Sequence, residues 1–268
     1  MKLKVLVDNN TYIDQYYFGE PAVSYYIEDE DVNLLLDVGY SDIFIRNSTK
    51  LGVDLENINA IIISHGHNDH TRGLKYYFAQ EYKNDISIIA HPDAFKEKRG
   101  GNIKICSPIL QEELKEKCNL ILSKGPIKVS KHIYFLGEIP QTNNFEIRKP
   151  IGKQIIDKTF IDDYVMDDTA LVYQSENGIY IITGCSHSGI CNIVEYAKKV
   201  CKDSRVLGII GGFHLFQVND QVNRTIEYLK QNNIKDLYPC HCTSFAVRAE
   251  IHKTLPVKEV GVGLELQW

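Results

Sequence analysis

The chain has 268 residues, 44% of them hydrophobic and 24% charged, with a formal charge of −5, an ordinary globular balance with length enough for a sizeable core. A pI near 6.0 argues against a broad nucleic-acid-binding surface, and no apolar run reaches the roughly 18 residues that a membrane-spanning helix needs. Seven scattered cysteines, an odd number, fit a reducing compartment better than a disulfide framework.

Leu3, Val5 and Val7 share one face of a first strand. The segment Met1 to Asp8 lacks the apolar block of a secretory signal, so a cytoplasmic protein is expected. Val23 to Ile27 and Asn33 to Leu36 read as a hairpin around Glu28-Asp29-Glu30-Asp31. Ser41 is placed to cap a helix running to Lys50, with Gly52 just past its end. Ile58 to Ser64 is an apolar, β-branched run that predicts a buried strand. A helix is predicted from Thr71 to Tyr82, a strand from Ile86 to Ala90, and a turn at His91-Pro92-Asp93 that opens a short helix. Lys96-Glu97-Lys98-Arg99 reads as a solvated helix end.

Residues 98 to 165 are the least regular. Leu110 to Lys117 has a helical pattern, and Leu120 to Leu122, Ile127 to Val129 and Ile133 to Leu136 read as short strands. Residues 137–165 are polar and aperiodic, the signature of a binding loop or lid. In the second half, Ala170 to Gln174 and Ile179 to Thr183 flank the turn signal Glu176-Asn177-Gly178. An amphipathic helix at Ile190 to Cys201 follows, then a strand at Val206 to Ile210 and a helix at Val222 to Gln231. Leu237 to Tyr238 reads as a strand, Phe245 to Lys253 as a helix, and Val257 to Leu266 as a final strand. The two halves, roughly 1–165 and 166–268, share this rhythm. One domain spanning 1–268 is expected, with two mixed sheets face to face and helices on the outer faces.

His65-Gly66-His67-Asn68-Asp69-His70 follows the Ile58 to Ser64 run and packs three imidazoles and one carboxylate into six residues. Buried polar groups need partners, and a metal centre supplies several at once. Imidazole and carboxylate are ligands that zinc, iron and manganese accept. Other segments repeat the order of apolar strand, small or turn residue, and then potential ligand. These lead to Cys185 and His187, to His214, and to His241 between Cys240 and Cys242, while Asp167-Asp168 stands just before a strand.

His187 and His241 are read as ligands. His214 reads as a ligand or as a group that orients one, and Cys185 as a ligand or a buried thiol. Asp168 reads as a ligand, a carboxylate orienting a histidine, or a turn residue. Cys240 and Cys242 are read as packing, Asp162-Asp163 as solvated, and His132 and His252 as lone histidines outside the site.

The block His65-x-His67-x-Asp69-His70 after an apolar strand, with distant histidines at strand ends, resembles the metallo-β-lactamase superfamily over essentially the whole chain. Gly137-Glu138-Ile139-Pro140, Asp167-Asp168-Thr169-Ala170, Thr183-Gly184-Cys185-Ser186-His187-Ser188-Gly189, Gly211-Gly212-Phe213-His214-Leu215 and His241-Cys242-Thr243 resemble one branch of it. That branch is named for 7,8-dihydropterin-6-methyl-4-(β-D-ribofuranosyl)-aminobenzene-5′-phosphate synthase, and many of its members are called metal-dependent hydrolases.

The resemblance implies an αββα sandwich with two divalent cations at the sheet edge, zinc first and iron or manganese as alternatives. By motif position His65 and His67 hold the first cation, and Asp69, His70 and His241 the second. The chain departs from the wider superfamily where it offers Asp168 in place of a histidine and Cys185 in place of a bridging aspartate. His187 is expected to take one of those two roles.

Paired cations generate a nucleophilic hydroxide at neutral pH and polarise anionic oxygens. Asp69 is the candidate catalytic carboxylate, orienting that nucleophile. His214, Glu138 and Phe145 are placed on the substrate side, with Glu146, Arg72 and Arg148 as further candidates. The expected activity is a hydrolase or transferase acting on a phosphorylated or pterin-like small molecule, with no nucleic acid and no membrane as partner. A homodimer is compatible with the sequence. A phosphodiesterase or lactonase, a di-iron oxidoreductase and a non-catalytic metal-binding sensor are the competing readings.

Overall fold

The computed structural model of the protein describes residues 1–82 and 85–268. Among the described residues the strands form three sheets. The first has seven strands in the order Glu265–Gln267, Lys2–Val7, Ser24–Asp29, Val32–Leu36, Ala60–Ile62, Ser87–Ala90 and Asn119–Leu122. Its first four strands are antiparallel, and from Val32–Leu36 onward neighbours run parallel. The second has six, in the order Asp236–Cys240, Val206–Gly212, Gly178–Thr183, Ala170–Ser175, Ile133–Phe135 and Ile127–Lys128. It too is parallel on one side and antiparallel on the other.

Alternation along the strands decides the layers, because successive side chains point to opposite faces. Leu34, Leu36, Ala60 and Ile62 of the first sheet meet Leu171, Tyr173, Ile182 and Ile210 of the second in one buried layer between the sheets. The intervening Leu35, Ile61 and Ile63 face outward and pack with Phe44, Leu74, Tyr77 and Leu114, which lie on helices. On the far side Val172, Ile181 and Ile209 pack with Ile193, Val194, Leu229 and Val247 of the helices Ile190–Cys201, Asp220–Gln231 and Phe245–His252. This is the expected αββα sandwich. Among the described residues no helix is long and apolar enough to cross a membrane.

Several local expectations are corrected. The predicted Thr71 to Tyr82 helix is two short pieces, Asn68–Thr71 and Leu74–Phe78, joined at Gly73. A Cβ at residue 73 would collide with the carbonyl of Val38, so glycine sets that joint. Residues 91–97 form turns and no helix. The predicted Val257 to Leu266 strand is reduced to Glu265–Gln267, with single bridges from Val257 to Leu237 and from Val262 to Thr11.

The segment 137–165 is not wholly irregular. Lys153–Ile156 and Thr159–Asp162 form a hairpin that joins Lys98–Gly100 and Ile103–Lys104 in a third, four-stranded sheet. Thr159 to Asp162 is exposed throughout, so the strand has no apolar face for periodicity to reveal. Lys98, expected on a solvated helix end, is fully buried at the start of a strand in this sheet.

Candidate metal centre

The carboxyl ends of six strands converge on one edge of the sandwich, where open α/β sheets build their sites. Lys2–Val7 leads to Asp8, Val32–Leu36 to Asp37, and Ala60–Ile62 to His65. From the second sheet, Gly178–Thr183 leads to Cys185, Val206–Gly212 to His214, and Asp236–Cys240 to His241. His67 is extended and His70 closes the first helical turn, so one short segment presents His65, His67, Asp69 and His70. A Cβ at residue 66 would strike the Ala94 carbonyl, so only glycine lets this turn pass. Asp37, Ser186, His214 and His241 all adopt left-handed backbone, with φ of 58°, 55°, 51° and 49°.

Four groups of metal-ligating side chains result among the described residues, each with its donor atoms within 4.8 Å of one another. They are His65, His67 and Asp69; His65, Cys185 and His187; Asp69, His70, Cys185 and His241; and Cys185, His214 and Cys242. His65 Nε2 lies 3.0 Å from His67 Nδ1, and His70 Nε2 lies 3.3 Å from Cys185 Sγ and 3.4 Å from Asp69 Oδ2. His241 Nε2 is 3.5 Å from the same Asp69 oxygen. The His187 ring sits 4.7 Å from that of His65 and 4.1 Å from that of His214.

Buried imidazole nitrogens here lack hydrogen-bond partners: His67 Nε2, both ring nitrogens of His187, His214 Nδ1 and His241 Nε2. Buried polar atoms are rarely left so, and several on one edge need a common partner. Imidazole, carboxylate and thiol together are the donor set of a zinc-like cation, so these residues fit a metal centre.

Electrostatics keeps most of the donors open. Burial, reinforced by repulsion from His70 and His67, holds the His65 imidazole well below its usual value. Burial and then Lys98 bring His67 down to about 4, and burial and His214 do the same in direction for His187. These three imidazoles are therefore neutral near pH 7, as a cation requires. His70 is the opposite case. Burial lowers it, but Asp69 and Asp37 together outweigh burial and raise it well above the usual value. Burial also opposes the Asp69 charge, yet His70 and His241 hold its carboxyl far below the usual carboxylate range.

Supporting residues orient these ligands. Asp37 accepts from His70 Nδ1 at 2.7 Å, from Ser64 Oγ at 2.6 Å and from the Ser64 amide at 2.8 Å. Asn9 sits 3.2 Å from His241 Nδ1 and donates to the His241 carbonyl, while Asp8 accepts from the His241 amide. Asp167 accepts from the Gly66 amide at 2.7 Å and pairs with Lys98 at 2.5 Å, and Asp163 pairs with the same ammonium at 3.2 Å. Asp163, expected in solvent, is thus buried. Asp37 and Lys98 were not predicted as site residues, and Asp167 was singled out only as the neighbour of Asp168. Asp37 follows the same strand-then-acid order as the other sites, which is the signal that could have found it.

Asp168 is in none of the four groups. Its Oδ2 accepts from the Ser188 amide and hydroxyl, fastening the loop that carries His187. Cys240 packs as expected, 3.2 Å from the Tyr25 hydroxyl, whereas Cys242 joins a donor group.

Two cavities flank the cluster. One of about 410 Å³ is lined by His187, His214, Lys149, Phe216, Gln217 and Gln221 among others, and the other, about 780 Å³, lies beside His241 with Asn9, Phe245 and Arg248. Glu138 and Phe145 line neither. Glu138 pairs with His91 at 3.2 Å and Lys124 at 3.4 Å, and Phe145 lies under Arg224 at 4.4 Å. Glu146 is buried and accepts from the Cys191 and Asn192 amides at a helix start. Arg148 is held by the Val165 and Ile139 carbonyls, and Arg72 lies over the Tyr40 ring.

The sequence matches the family model described as the metallo-beta-lactamase superfamily over residues 17–200. It is 38% identical over 248 residues to the uncharacterized protein MJ0448 of Methanocaldococcus jannaschii, covering 91% of each chain. It is 31% identical over 260 residues to the 7,8-dihydropterin-6-methyl-4-(beta-D-ribofuranosyl)-aminobenzene-5'-phosphate synthase of the same organism, covering 91% of this chain and 88% of that one. Among solved structures, Tm1679, described as a metal-dependent hydrolase of the beta-lactamase superfamily, superposes with a TM-score of 0.85 at 26% identity, covering 100% of this chain and 99% of its own.

Proposed function

The chain belongs to the metallo-beta-lactamase superfamily, and from that premise we propose that it is an enzyme using two divalent cations to act on a phosphorylated or pterin-like small molecule. The observation that carries this reading is the set of buried imidazole nitrogens without partners, facing Asp69 and Cys185.

His65, His67 and His187 hold one cation with Asp69 beside it. Asp69, His70, Cys185 and His241 hold the other. Bound divalent cations supply Lewis acidity, lowering the pKa of water and polarising phosphoryl or carbonyl oxygens. Cys185 tilts the second position toward zinc, because thiolate is a softer ligand than carboxylate. Asp37 fixes His70 through its Nδ1 and leaves Nε2 facing inward. Asp69 is the candidate to orient the attacking group.

The 410 Å³ cavity is assigned to substrate. His187 and His214 bring it to the cluster, Lys149 offers an ammonium for a phosphate, and Phe216 offers an exposed ring face. Gln217 and Gln221 offer carboxamides that suit the donor and acceptor edge of a pterin. The 31% identical synthase favours transfer on a dihydropterin, and the name of Tm1679 favours hydrolysis.

Elemental analysis of protein purified without chelator tests the centre, with at least two cations per chain expected. Assay of the dihydropterin pyrophosphate reaction beside a phosphodiester and lactone panel tests the chemistry. Less than one tightly bound cation per chain, or turnover unchanged in His67→Ala, would sink the reading.

A further inference from the structure

Cys185 belongs to three of the four donor groups. One of them is used whole by the proposed pair of cations, and a second is used through His65 and His187. The third, Cys185 with His214 and Cys242, is not. We propose that Cys185, Cys242 and His214 form a further, sulfur-rich site for one thiophilic divalent cation of the zinc class, with Cys185 shared between it and the Asp69–His70–His241 position.

Three observations point to a ligand there. The two sulfurs and a His214 ring nitrogen lie within 4.8 Å of one another, close enough to converge on one ion. His214 Nδ1 is buried and makes no hydrogen bond. Cys242 is held in place rather than free to turn away. Its Sγ contacts the Cys185 carbonyl at 3.5 Å and packs against Gly212, where any Cβ would collide with it.

The donor chemistry sets the class of ion. Two thiolates and one imidazole favour zinc, cadmium or cobalt over magnesium or manganese, which prefer oxygen. With Cys185 already a thiolate at the Asp69–His70–His241 position, binding displaces one proton, from Cys242, to solvent, and the imidazole binds neutral. Three protein donors leave one tetrahedral position for water or a ligand atom. His214 also borders the 410 Å³ cavity, so this ion stands beside the space assigned to substrate. The inference rests on the two-cation reading only in sharing Cys185.

The test is stepwise loading of reduced, full-length protein with Cd²⁺ and separately Co²⁺. Bound ions are counted by elemental analysis, and the thiolate-to-metal charge-transfer absorption is followed. Three ions per chain are expected in the wild type. Two are expected in Cys242→Ser and in His214→Ala, with the charge-transfer intensity of Cys242→Ser falling to roughly half. Thermal unfolding and circular dichroism establish that both variants are folded. If either is unfolded, alkylation protection of Cys242 in the loaded wild type replaces it, and a thiol that reacts equally with and without ions overturns the site. Two ions in wild type and Cys242→Ser alike, with equal absorption, overturns it while leaving the two-cation reading intact. No tightly bound ion overturns both. A mass lower by two hydrogens in the loaded wild type, marking a Cys185–Cys242 disulfide, also overturns it.

Discussion

Lys98 Nζ lies 2.5 Å from Asp167 Oδ1, and the other oxygen of that carboxylate accepts from the Gly66 amide at 2.7 Å. An ammonium with no solvent exposure thus reaches, through one carboxylate, the backbone between His65 and His67. Asp163 shares the ammonium at 3.2 Å, so the group carries two acids for one base. Removing the base strands two buried negative charges, which costs far more than the pair itself contributes.

Lys98→Met is therefore expected to lose about 3 to 5 kcal/mol of stability in urea unfolding of the metal-free protein. It should also weaken cation binding, because the His65-Gly66-His67 turn loses its anchor. A loss under about 1 kcal/mol would show that the Lys98 group does not hold the turn.

Asp37 orients His70 from behind. Asp37→Asn keeps the shape but not the charge, and removal of such a supporting carboxylate weakens metal affinity on the order of 10- to 100-fold. Competition against a chromophoric chelator measures this. Unchanged affinity would mean that Ser64 alone fixes the ring.

Chelation should lower thermal stability. A cation present at about 100 times its dissociation constant stabilises the native state by about 2.7 kcal/mol. Scanning calorimetry with and without chelator is expected to show the shift in the wild type and a much smaller one in His67→Ala.

Lys149 is expected to act in binding rather than in chemistry. Lys149→Ala should raise KM for a phosphorylated substrate about 10-fold, equivalent to about 1.4 kcal/mol, with kcat little changed. A fall in kcat alone would place Lys149 elsewhere in the reaction.

Asp29 gives a pH signature far from the centre. Burial alone raises its carboxyl, but hydrogen bonds from Ser130 and His132 outweigh burial and lower it. A depressed carboxylate stabilises the fold above its unfolded value, 3.8, and that contribution is lost as pH falls through the folded value. Asp29→Asn should cost about 1 to 2 kcal/mol at pH 7, with the difference from wild type closing below about pH 4. A gap independent of pH would rule out the charge as its source.

The sandwich and the His65 to His70 block were legible because both rest on local signals, strand alternation and ligand spacing. His187, His241 and Cys185 were legible by the same strand-end order, and they do meet. Lys98 was misread because Lys96, Glu97 and Arg99 around it are charged and only half-buried, while its partners Asp163 and Asp167 lie far along the sequence. The 153–162 hairpin was missed because its outer strand is exposed along its whole length. Glu138 and Phe145 lie in a loop whose path is set by tertiary contacts, which no periodicity encodes.

The left-handed backbone at Asp37, Ser186, His214 and His241 sets the terms on which this protein could be engineered. Each such residue works against a steric preference of about 1 kcal/mol or more, which glycine or asparagine would relieve. Selection for heat resistance alone would therefore bear on all four positions, His214 and His241 among them, and could yield a sturdier scaffold without its ligands. Robustness and chemistry pull on the same few peptide units, so a stabilising campaign needs metal retention as a second screen from its first round.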